Sequence, residues 1–283
     1  MNNRLKKFSV VLIIIYLFIN YTACVNTYSS YVNLTKATYA PPGENNSASY
    51  VNKPSSSYNL GSAKIFAGKN VIISLFVDTP GKRWTYKRRQ EELKKLSRAC
   101  DYLTNKGSEY SQDIEFVYDW NTDFSLLKSS NMKLAADNTG FEDELDKEFD
   151  ILTKSKIDYD ALLRRYSADN IFTIIFLDFD GRSYAICYDG EDNPKESVVI
   201  FKDTNEATYA HEILHLYGAH DYYSGAEYSN DATRELKKRF PKDIMLTTFL
   251  GNVKNNTISD LTAYHIGWTD SAEIVTRFDE LRR

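Results

Sequence analysis

The chain has 283 residues, 42% of them hydrophobic, and a formal net charge of −4 at neutral pH. That hydrophobic content is sufficient for one catalytic domain of ordinary size with additional segments. The slightly acidic balance gives no indication of a nucleic-acid partner, because phosphate binding requires a basic surface.

The N-terminus has the pattern of an export signal. Three basic residues precede a mostly apolar run over 8–19, which is shorter than the roughly 20 residues of a comfortable membrane span and typical of a signal peptide. The run leads to Ala23-Cys24, which resembles a bacterial lipobox, although Tyr21 replaces the usual aliphatic residue. We therefore expect a signal peptide over 1–23 and lipidation of Cys24. Cleavage near Ala23 without lipidation and an uncleaved anchor are the alternatives, and all three place the domain outside the cytoplasm.

Residues 24–68 are predicted to be a flexible tether. They are rich in Ser, Asn, Tyr and Thr, contain three prolines and show no helical period, so they bury too little apolar surface to order themselves. Such a segment lets a lipid-anchored domain stand away from the membrane. A propeptide that occupies the active site is the alternative. The catalytic domain is expected over 69–283, with a small C-terminal subdomain from about residue 219.

The next part of the chain has the pattern of a folded α/β domain. The run 71–77 is nearly all apolar and β-branched, which predicts a strand buried on both faces. Apolar positions spaced by about 3.6 residues predict a helix over 85–104, and residues 105–107 are expected to end it. A second strand is predicted at 114–120, and the strand–helix–strand unit predicts a parallel crossover.

The middle of the chain adds helices, strands and turns. Helices are predicted at 141–152 and Tyr159–Tyr166, and strands at 171–177, 183–188 and Ser197–Phe201. Asp180-Gly181 predicts a tight hairpin between the first two of these strands. The next helix is expected to begin with Asp203 or Thr204 as its N-cap, with Glu206 completing a capping box. The whole pattern predicts a mixed α/β fold with a sheet of about five strands.

The segment from His211 to Asp221 contains the candidate metal-binding and catalytic residues, and its sequence pattern is HExxHxxGxxD. His211 and His215, four residues apart on a helix, lie on one face and can share one metal ion. Glu212 is placed to deprotonate a water molecule at that metal. Gly218 can end the helix in a left-handed turn, after which the chain doubles back to offer Asp221 as a third ligand. The pattern indicates a hydrolytic zinc site, with an amphipathic core helix as the alternative.

The third ligand has two rivals. His220 is a good zinc ligand but precedes the expected position by one residue. Glu235 lies twenty residues after His215, a spacing that resembles thermolysin-like enzymes, where a glutamate from a following helix completes the site. The turn expected at Gly218 favours Asp221.

The motif and the order of elements resemble the metzincin clan of zinc peptidases, and the aspartate in the last position is similar to the snapalysin-type variant. Met245, within Asp243-Ile244-Met245, resembles the methionine turn that lies beneath the metal in this clan. An ordinary core methionine is the alternative. The resemblance implies a twisted mixed sheet with a backing helix, an active-site helix and a small, mainly helical C-terminal subdomain.

The same resemblance implies a function. The chain is expected to be a secreted or membrane-tethered zinc metalloendopeptidase, in which His211, His215 and Asp221 hold Zn2+ and Glu212 activates the water. Its partners would be a protein or peptide substrate and, through the lipid anchor, the membrane, and it would act as a monomer. The strand at 183–188 would form the upper rim of the cleft and pair with an antiparallel substrate. From the sequence, the candidate hydrogen-bond donors to the reacting carbonyl are Tyr222, Tyr223, Tyr264 and His265, and packing or solvent exposure is the favoured alternative for each of them.

Three further points stay open from the sequence. Two buried free thiols at Cys100 and Cys187 are favoured over a disulfide, because pairing cannot be deduced from spacing. The acidic clusters at 178–181 and 189–192 are explained by turns, with calcium binding as the alternative. The competing function is a surface lipoprotein that binds a partner or scaffolds a complex, with a non-catalytic site.

Overall fold

The structure is a computed structural model of the whole chain. It describes residues 62–63, 65–79, 82–118, 145, 147–149, 157–187, 196–223 and 228–282. The expected signal peptide, Cys24 and the tether as far as residue 61 lie outside the described residues. Ala63 and Phe66 are fully buried in the core, so the last few residues of the predicted tether segment pack as part of the folded domain.

The first strand and the first helix follow the hydrophobic pattern closely. Strand β1 (Gly68–Val77) leads to helix α1 (Tyr86–Glu109), whose N-cap Thr85 accepts a hydrogen bond from the backbone N–H of Arg88. The expected end of α1 at residues 105–107 is wrong, since the helix continues to Glu109. Gly107 lies inside the helix and allows a close approach to Ile114, since a Cβ atom at this position would come within 2.5 Å of the Ile114 side chain.

The sheet has five strands in the order β2-β1-β3-β5-β4. The remaining strands are β2 (Ile114–Tyr118), β3 (Asn170–Leu177), β4 (Tyr184–Ile186) and β5 (Ser197–Phe201). All neighbouring strands are parallel except β4, which pairs with β5 in antiparallel fashion. The prediction of a mixed α/β fold with a five-stranded sheet is therefore confirmed.

The tight hairpin expected at Asp180-Gly181 is wrong. Strand β4 pairs with β5 and not with β3, so the chain crosses beyond β5 before it turns back. Ser183 fixes this crossing, because its hydroxyl accepts a hydrogen bond from the backbone N–H of Phe201 at 3.2 Å. Gly181 lies directly against the Phe201 ring, where a Cβ atom would come within 2.1 Å of the ring carbon Cδ1. A glycine at position 181 therefore allows the backbone to approach the Phe201 ring closely, and it does not form a hairpin turn.

Both faces of the sheet are buried. In β3, Ile174 and Phe176 join the large core that contains α1 and the motif helix, whereas Ile175 and Leu177 join a second core on the opposite side. Helix α2 (Tyr159–Tyr166), at the predicted position, packs against a third cluster. Of the helix predicted at 141–152, the described residues are 145 and 147–149, and they are helical. The near-continuous apolar sequence of β3 reflects this double burial.

The described residues after the motif helix, α3 (Glu206–Leu216), are helices and turns. They form helix α4 (Asn230–Arg239), helix α5 (Asp260–His265) and three 3-10 turns at Val253–Asn255, Glu273–Thr276 and Asp279–Leu281. Within the described ranges, no helix is long and apolar enough to cross a membrane. This part of the chain packs against the core through residues such as Ile244, Met245 and Leu261.

Candidate metal centre

The motif lies on helix α3 (Glu206–Leu216), which is buried against α1 and the sheet. The predicted N-cap is wrong: Asn205 caps the helix and its side chain accepts from the backbone N–H of Thr208 at 3.0 Å. Asp203 has a left-handed φ of 61° and lies outside the helix. Glu206 does not form a capping box, since its carboxylate pairs with Arg98 and accepts from the backbone N–H of Val253.

The structure brings together His211, His215 and Asp221. The two Nε2 atoms are 3.1 Å apart, and Oδ1 of Asp221 lies 3.1 Å from the Nε2 of His211 and 3.3 Å from that of His215. Three ligands of a tetrahedral zinc ion, each about 2.0–2.1 Å from it, lie about 3.3 Å from one another. In the described part of the chain, this is the one group of three potential metal ligands that meet in this way.

Hydrogen bonds to the backbone orient both imidazole rings. Nδ1 of His211 lies 2.9 Å from the carbonyl oxygen of Ile244, and Nδ1 of His215 lies 2.7 Å from that of Ala219. A carbonyl oxygen only accepts, so each Nδ1 carries a proton, and in its neutral form each ring turns a bare Nε2 lone pair toward the centre. Such bonds fix the tautomer in metal-binding histidines.

When both imidazole rings are neutral, the three ligand atoms form a set of acceptors without a donor. Oδ1 of Asp221 is buried and makes no hydrogen bond of ordinary geometry, despite its short distances to the two Nε2 atoms. Three lone pairs at such distances need a cation or a proton between them, because a buried polar group without a partner is costly. The donor set of two imidazoles and one carboxylate therefore fits a metal ion, and it matches that of catalytic zinc sites.

Protonation of His215 is the alternative to a metal. Burial lowers the pKa of His215, but the negative charge of Asp221, and a hydrogen bond that its carboxylate can accept from the protonated ring, outweigh burial and raise the pKa to about 9. Burial raises the pKa of Asp221, but the two histidines lower it well below its ordinary value. The site thus favours one positive charge at its centre over a wide pH range.

The second oxygen of Asp221 is held by a side-chain relay. The hydroxyl of Tyr223 donates to Oδ2 of Asp221, and the guanidinium of Arg182 donates to the oxygen of the same hydroxyl. Burial and the adjacent Asp221 raise the pKa of Tyr223 well above its ordinary value, so the hydroxyl remains a donor. Because Tyr223 holds Oδ2, the other oxygen of Asp221, Oδ1, points toward the two histidines.

The segment resembling a methionine turn lies directly at the site. Its Ile244 carbonyl holds His211, and the Met245 carbonyl accepts from the backbone N–H of Tyr222 at 3.0 Å. Met245 itself is fully buried in the large core. The turn therefore supports both the first ligand and the chain next to the third.

Asp243 holds this turn and was missed by the sequence analysis. One carboxylate oxygen accepts from the backbone N–H of Met245 at 2.7 Å, and the other accepts from the backbone N–H of Ser259 and the hydroxyl of Thr262, both at 2.8 Å. The carboxyl group is fully buried, and burial raises its pKa although these bonds lower it. An acidic residue next to an otherwise apolar Ile-Met-Leu segment is the signal that the sequence offered.

Glu212 is buried on the same helix between the two histidines. Burial raises the pKa of its carboxyl group, and the neighbouring histidines lower it by less. A carboxylate with a raised pKa is a stronger base than an exposed one, which suits proton transfer near neutral pH.

The two rival ligands lie elsewhere. The carboxylate of Glu235, on α4, pairs with Arg277 at 3.0 Å. The ring of His220 lies among other rings, with its centroid 5.0 Å from that of His265 and 6.1 Å from that of Tyr228. Neither belongs to the group of three ligand atoms.

Of the four candidate donors to a carbonyl oxygen, Tyr222 and His265 belong to a buried network. Nε2 of His265 donates to the carbonyl of Leu281 at 2.9 Å, so its Nδ1 accepts from the hydroxyl of Tyr222 at 3.0 Å. Tyr264 lies beside His265, with ring centroids 5.7 Å apart. Tyr223 contacts a potential ligand directly, at Asp221.

The remaining predicted residues have other roles. Cys100 and Cys187 are both free, as favoured by the sequence analysis, but the expectation that both are buried is wrong because Cys187 is exposed. Asp178, in the first acidic cluster, forms a two-pronged ion pair with Arg88. Its carboxylate is thereby committed to a structural contact, which argues against calcium at that cluster.

Comparisons with known proteins add little to this geometry. No family model and no curated protein matches the chain. Among solved structures, it is similar to wild-type OgpA from Akkermansia muciniphila, with a TM-score of 0.33 and 10% sequence identity over 74% of this chain. The match spans 64% of OgpA, which is less than two thirds of its length. The functional assignment therefore depends on the site itself.

Proposed function

We propose that the chain is a zinc-dependent endopeptidase that acts outside the cytoplasm and is tethered to the membrane through Cys24. The observation that carries this proposal is the close approach of three metal-ligand atoms beside a buried Glu212 on the same helix. A structural zinc site closes with four protein ligands, whereas a catalytic site has three and an open position. The predicted signal peptide, the predicted tether and the lipobox-like sequence Ala23-Cys24 support the location.

Each residue of the site would have a separate role in peptide hydrolysis. His211, His215 and Asp221 would hold zinc, which supplies Lewis acidity to a water molecule and to the scissile carbonyl. Glu212 would take a proton from the attacking water and deliver it to the leaving amine. Tyr223 would keep Asp221 oriented throughout the reaction, because its only hydroxyl proton is committed to Oδ2.

Strand β4 would bind the substrate backbone. It is the last strand in the sheet order, so among the described strands its outer edge has no partner. Cys187, directly after β4, donates to the carbonyl oxygen of His215 at 3.4 Å, which places this edge beside the metal centre. A peptide can add to such an edge through backbone hydrogen bonds.

Metal analysis and a glutamate substitution test the proposal. The purified full chain should hold one zinc ion per molecule and cleave peptides from a random library. Glu212→Gln should keep the zinc and lose about 10²–10⁴-fold in kcat, because it removes only the general base.

Glu235→Gln is the matched control, since it makes the same chemical change at the rival ligand position and should leave both zinc content and cleavage unchanged. Absence of zinc from the full chain would overturn the proposal and favour a partner-binding lipoprotein. Undiminished cleavage by zinc-loaded Glu212→Gln would overturn the role of Glu212 as the general base. Loss of zinc in Glu235→Gln but not in Asp221→Asn would overturn the assignment of the third ligand.

A further inference from the structure

Arg182 places a positive charge at the edge of the metal centre. It is exposed on the segment that crosses beyond β5, and its guanidinium lies 5.3 Å from the centroid of the Tyr223 ring. The same guanidinium donates to the Tyr223 hydroxyl, which in turn donates to Asp221. One tyrosine therefore separates this cation from the third ligand.

The guanidinium of Arg182 is exposed at this edge and can meet an anion there. A guanidinium has five N–H groups in a planar fork that matches a carboxylate. The chemistry at this edge of the site is thus suited to an anionic group of the substrate.

The direction of β4 tells which part of a substrate would meet this charge. Arg182 lies two residues before β4 and Cys187 directly after it. A peptide that pairs antiparallel with β4, the more stable pairing per residue, runs from the Cys187 end to the Arg182 end. The carbonyl oxygen of His215 lies beside the first end, and Asp221 is joined to Arg182 at the second end through Tyr223. The scissile bond would lie between them, and the C-terminal part of the substrate would pass Arg182.

We propose that Arg182 binds a carboxylate of the substrate on the C-terminal side of the scissile bond. The inference rests on the proposed peptidase function and names its substrate class. The carboxylate belongs either to an Asp or Glu side chain or to the C-terminus of a short peptide. Both sources present the same two oxygens to the guanidinium, and only peptides that separate them can distinguish the two.

Two sets of peptides test the inference on the zinc-loaded full chain. In the first set, each position after the cleaved bond carries Glu or Gln, and the C-terminus is amidated. In the second set, the side chains are neutral and the C-terminus is a free acid or an amide. The carboxylate member of one set should be cleaved with a kcat/KM about three- to tenfold higher than its neutral partner, mainly through KM, as expected for a partly exposed charge pair.

Substitutions at Arg182 should change this ratio in a graded way. Arg182→Gln should bring the ratio to unity, Arg182→Lys should restore part of it, and Arg182→Glu should favour Lys at the same substrate position. Lys202→Gln is the matched control, because Lys202 is a half-exposed cation nearby that contacts Asp180 and Asp203 instead of the site. It should keep the ratio of the wild type. Zinc content is measured for every variant, so that loss of metal is not mistaken for loss of preference.

The outcomes separate this inference from the proposed function. If the wild-type chain cleaves peptides without a carboxylate preference, prefers the carboxylate on the N-terminal side, or keeps its preference in Arg182→Gln, the inference is overturned and the peptidase stands. If the zinc-loaded chain cleaves no peptide at all, the proposed function itself is overturned.

Discussion

Nδ1 of His211 lies 2.9 Å from the carbonyl oxygen of Ile244, a residue 33 positions further along the chain. This contact joins the motif helix to the turn that contains Met245. The position of that carbonyl is set in turn by Asp243, which accepts from the backbone N–H of Met245 on one side and from Ser259 and Thr262 on the other. The first ligand therefore depends on a buried carboxylate that does not touch it.

Asp243→Asn should weaken both the fold and the site. The amide keeps the size of the side chain, but its NH₂ group cannot accept a hydrogen bond. At least one buried backbone N–H then loses its acceptor, which lowers the free energy of unfolding by about 1–3 kcal/mol. The Ile244 carbonyl then loses its fixed position, and zinc binding should weaken. Denaturant unfolding and zinc titration against a chelator measure the two effects.

Asp270→Asn provides the control for this prediction, since Asp270 is exposed in the same C-terminal part of the chain. Its stability should change by less than about 0.5 kcal/mol. An Asp243→Asn variant that binds zinc as tightly as the wild type would show that the turn does not position His211.

Zinc binding should be coupled to the release of a proton. The pKa of His215 is raised to about 9 in the metal-free site, so its ring is protonated below that pH and the proton competes with the metal. Zinc affinity should therefore rise about tenfold per pH unit between pH 7 and pH 9 and level off above. The stability of the metal-free fold depends on pH in the opposite direction. The raised pKa of His215 contributes its full stabilisation below the pKa of 6.5 in the unfolded chain, and this stabilisation is lost as the pH rises through 9.

Calorimetry in two buffers of different ionisation enthalpy counts the released protons directly. About one proton per zinc should be released at pH 7.5. In Asp221→Asn the charge that raises the pKa of His215 is gone, so fewer protons should be released at the same pH and the affinity should fall. A pH-independent affinity between pH 7 and pH 9 would contradict the prediction.

Much of the fold was accessible from local patterns in the sequence. The runs that became β1, β3 and β5 are apolar because both faces of the sheet are covered, and helix α2 lies at the predicted residues Tyr159–Tyr166. Burial on both faces and a period near 3.6 are properties of neighbouring residues, so a single sequence shows them.

The wrong predictions concern choices that local chemistry leaves open. Asp203, Thr204 and Asn205 are all good N-cap residues. In the structure, Asp203 has a left-handed φ and the hydroxyl of Thr204 donates to the Phe201 carbonyl, so Asn205 caps the helix. Asp180-Gly181 has the composition of a hairpin, but the partner of β4 is decided by contacts with Phe201 across the sheet. Tertiary contacts select among locally equivalent options.

The same division holds within the site. The spacing of His211, His215 and Asp221 was readable because it follows helix geometry and one turn. The supporting residues were not, because Arg182 and Asp243 reach the site only through the folded sheet and the C-terminal turn. Residues that orient ligands across long sequence separations carry no local periodicity.

Tyr223→Phe should weaken zinc binding without unfolding the chain. The substitution removes the hydroxyl that donates to Oδ2 of Asp221 and keeps the ring beside Arg182. Loss of a hydrogen bond that orients a metal ligand typically lowers affinity at least about tenfold. Chelator competition measures the change, and an unaltered zinc affinity would show that Tyr223 does not orient Asp221. Tyr86→Phe is the control, because Tyr86 is 72% exposed on the surface.

Gly218→Ala should destabilise the chain and weaken zinc binding at the same time. Gly218 has a φ of 95°, and an L-residue in a left-handed conformation costs about 1–2 kcal/mol. The same turn places the Ala219 carbonyl against Nδ1 of His215, and the backbone N–H of Ala219 bonds back to Leu214 at 3.1 Å. A shift of this turn therefore moves the acceptor that fixes the His215 ring.

Gly251→Ala separates the two effects of this substitution. Gly251 has a comparable φ of 82° with open space where its Cβ would lie, so it carries similar backbone strain away from the metal centre. Both variants should lose about the same free energy of unfolding in chemical denaturation of the metal-free chain. Only Gly218→Ala should also bind zinc more weakly, and equal zinc affinities in the two variants would mean that the turn does not hold His215 in place.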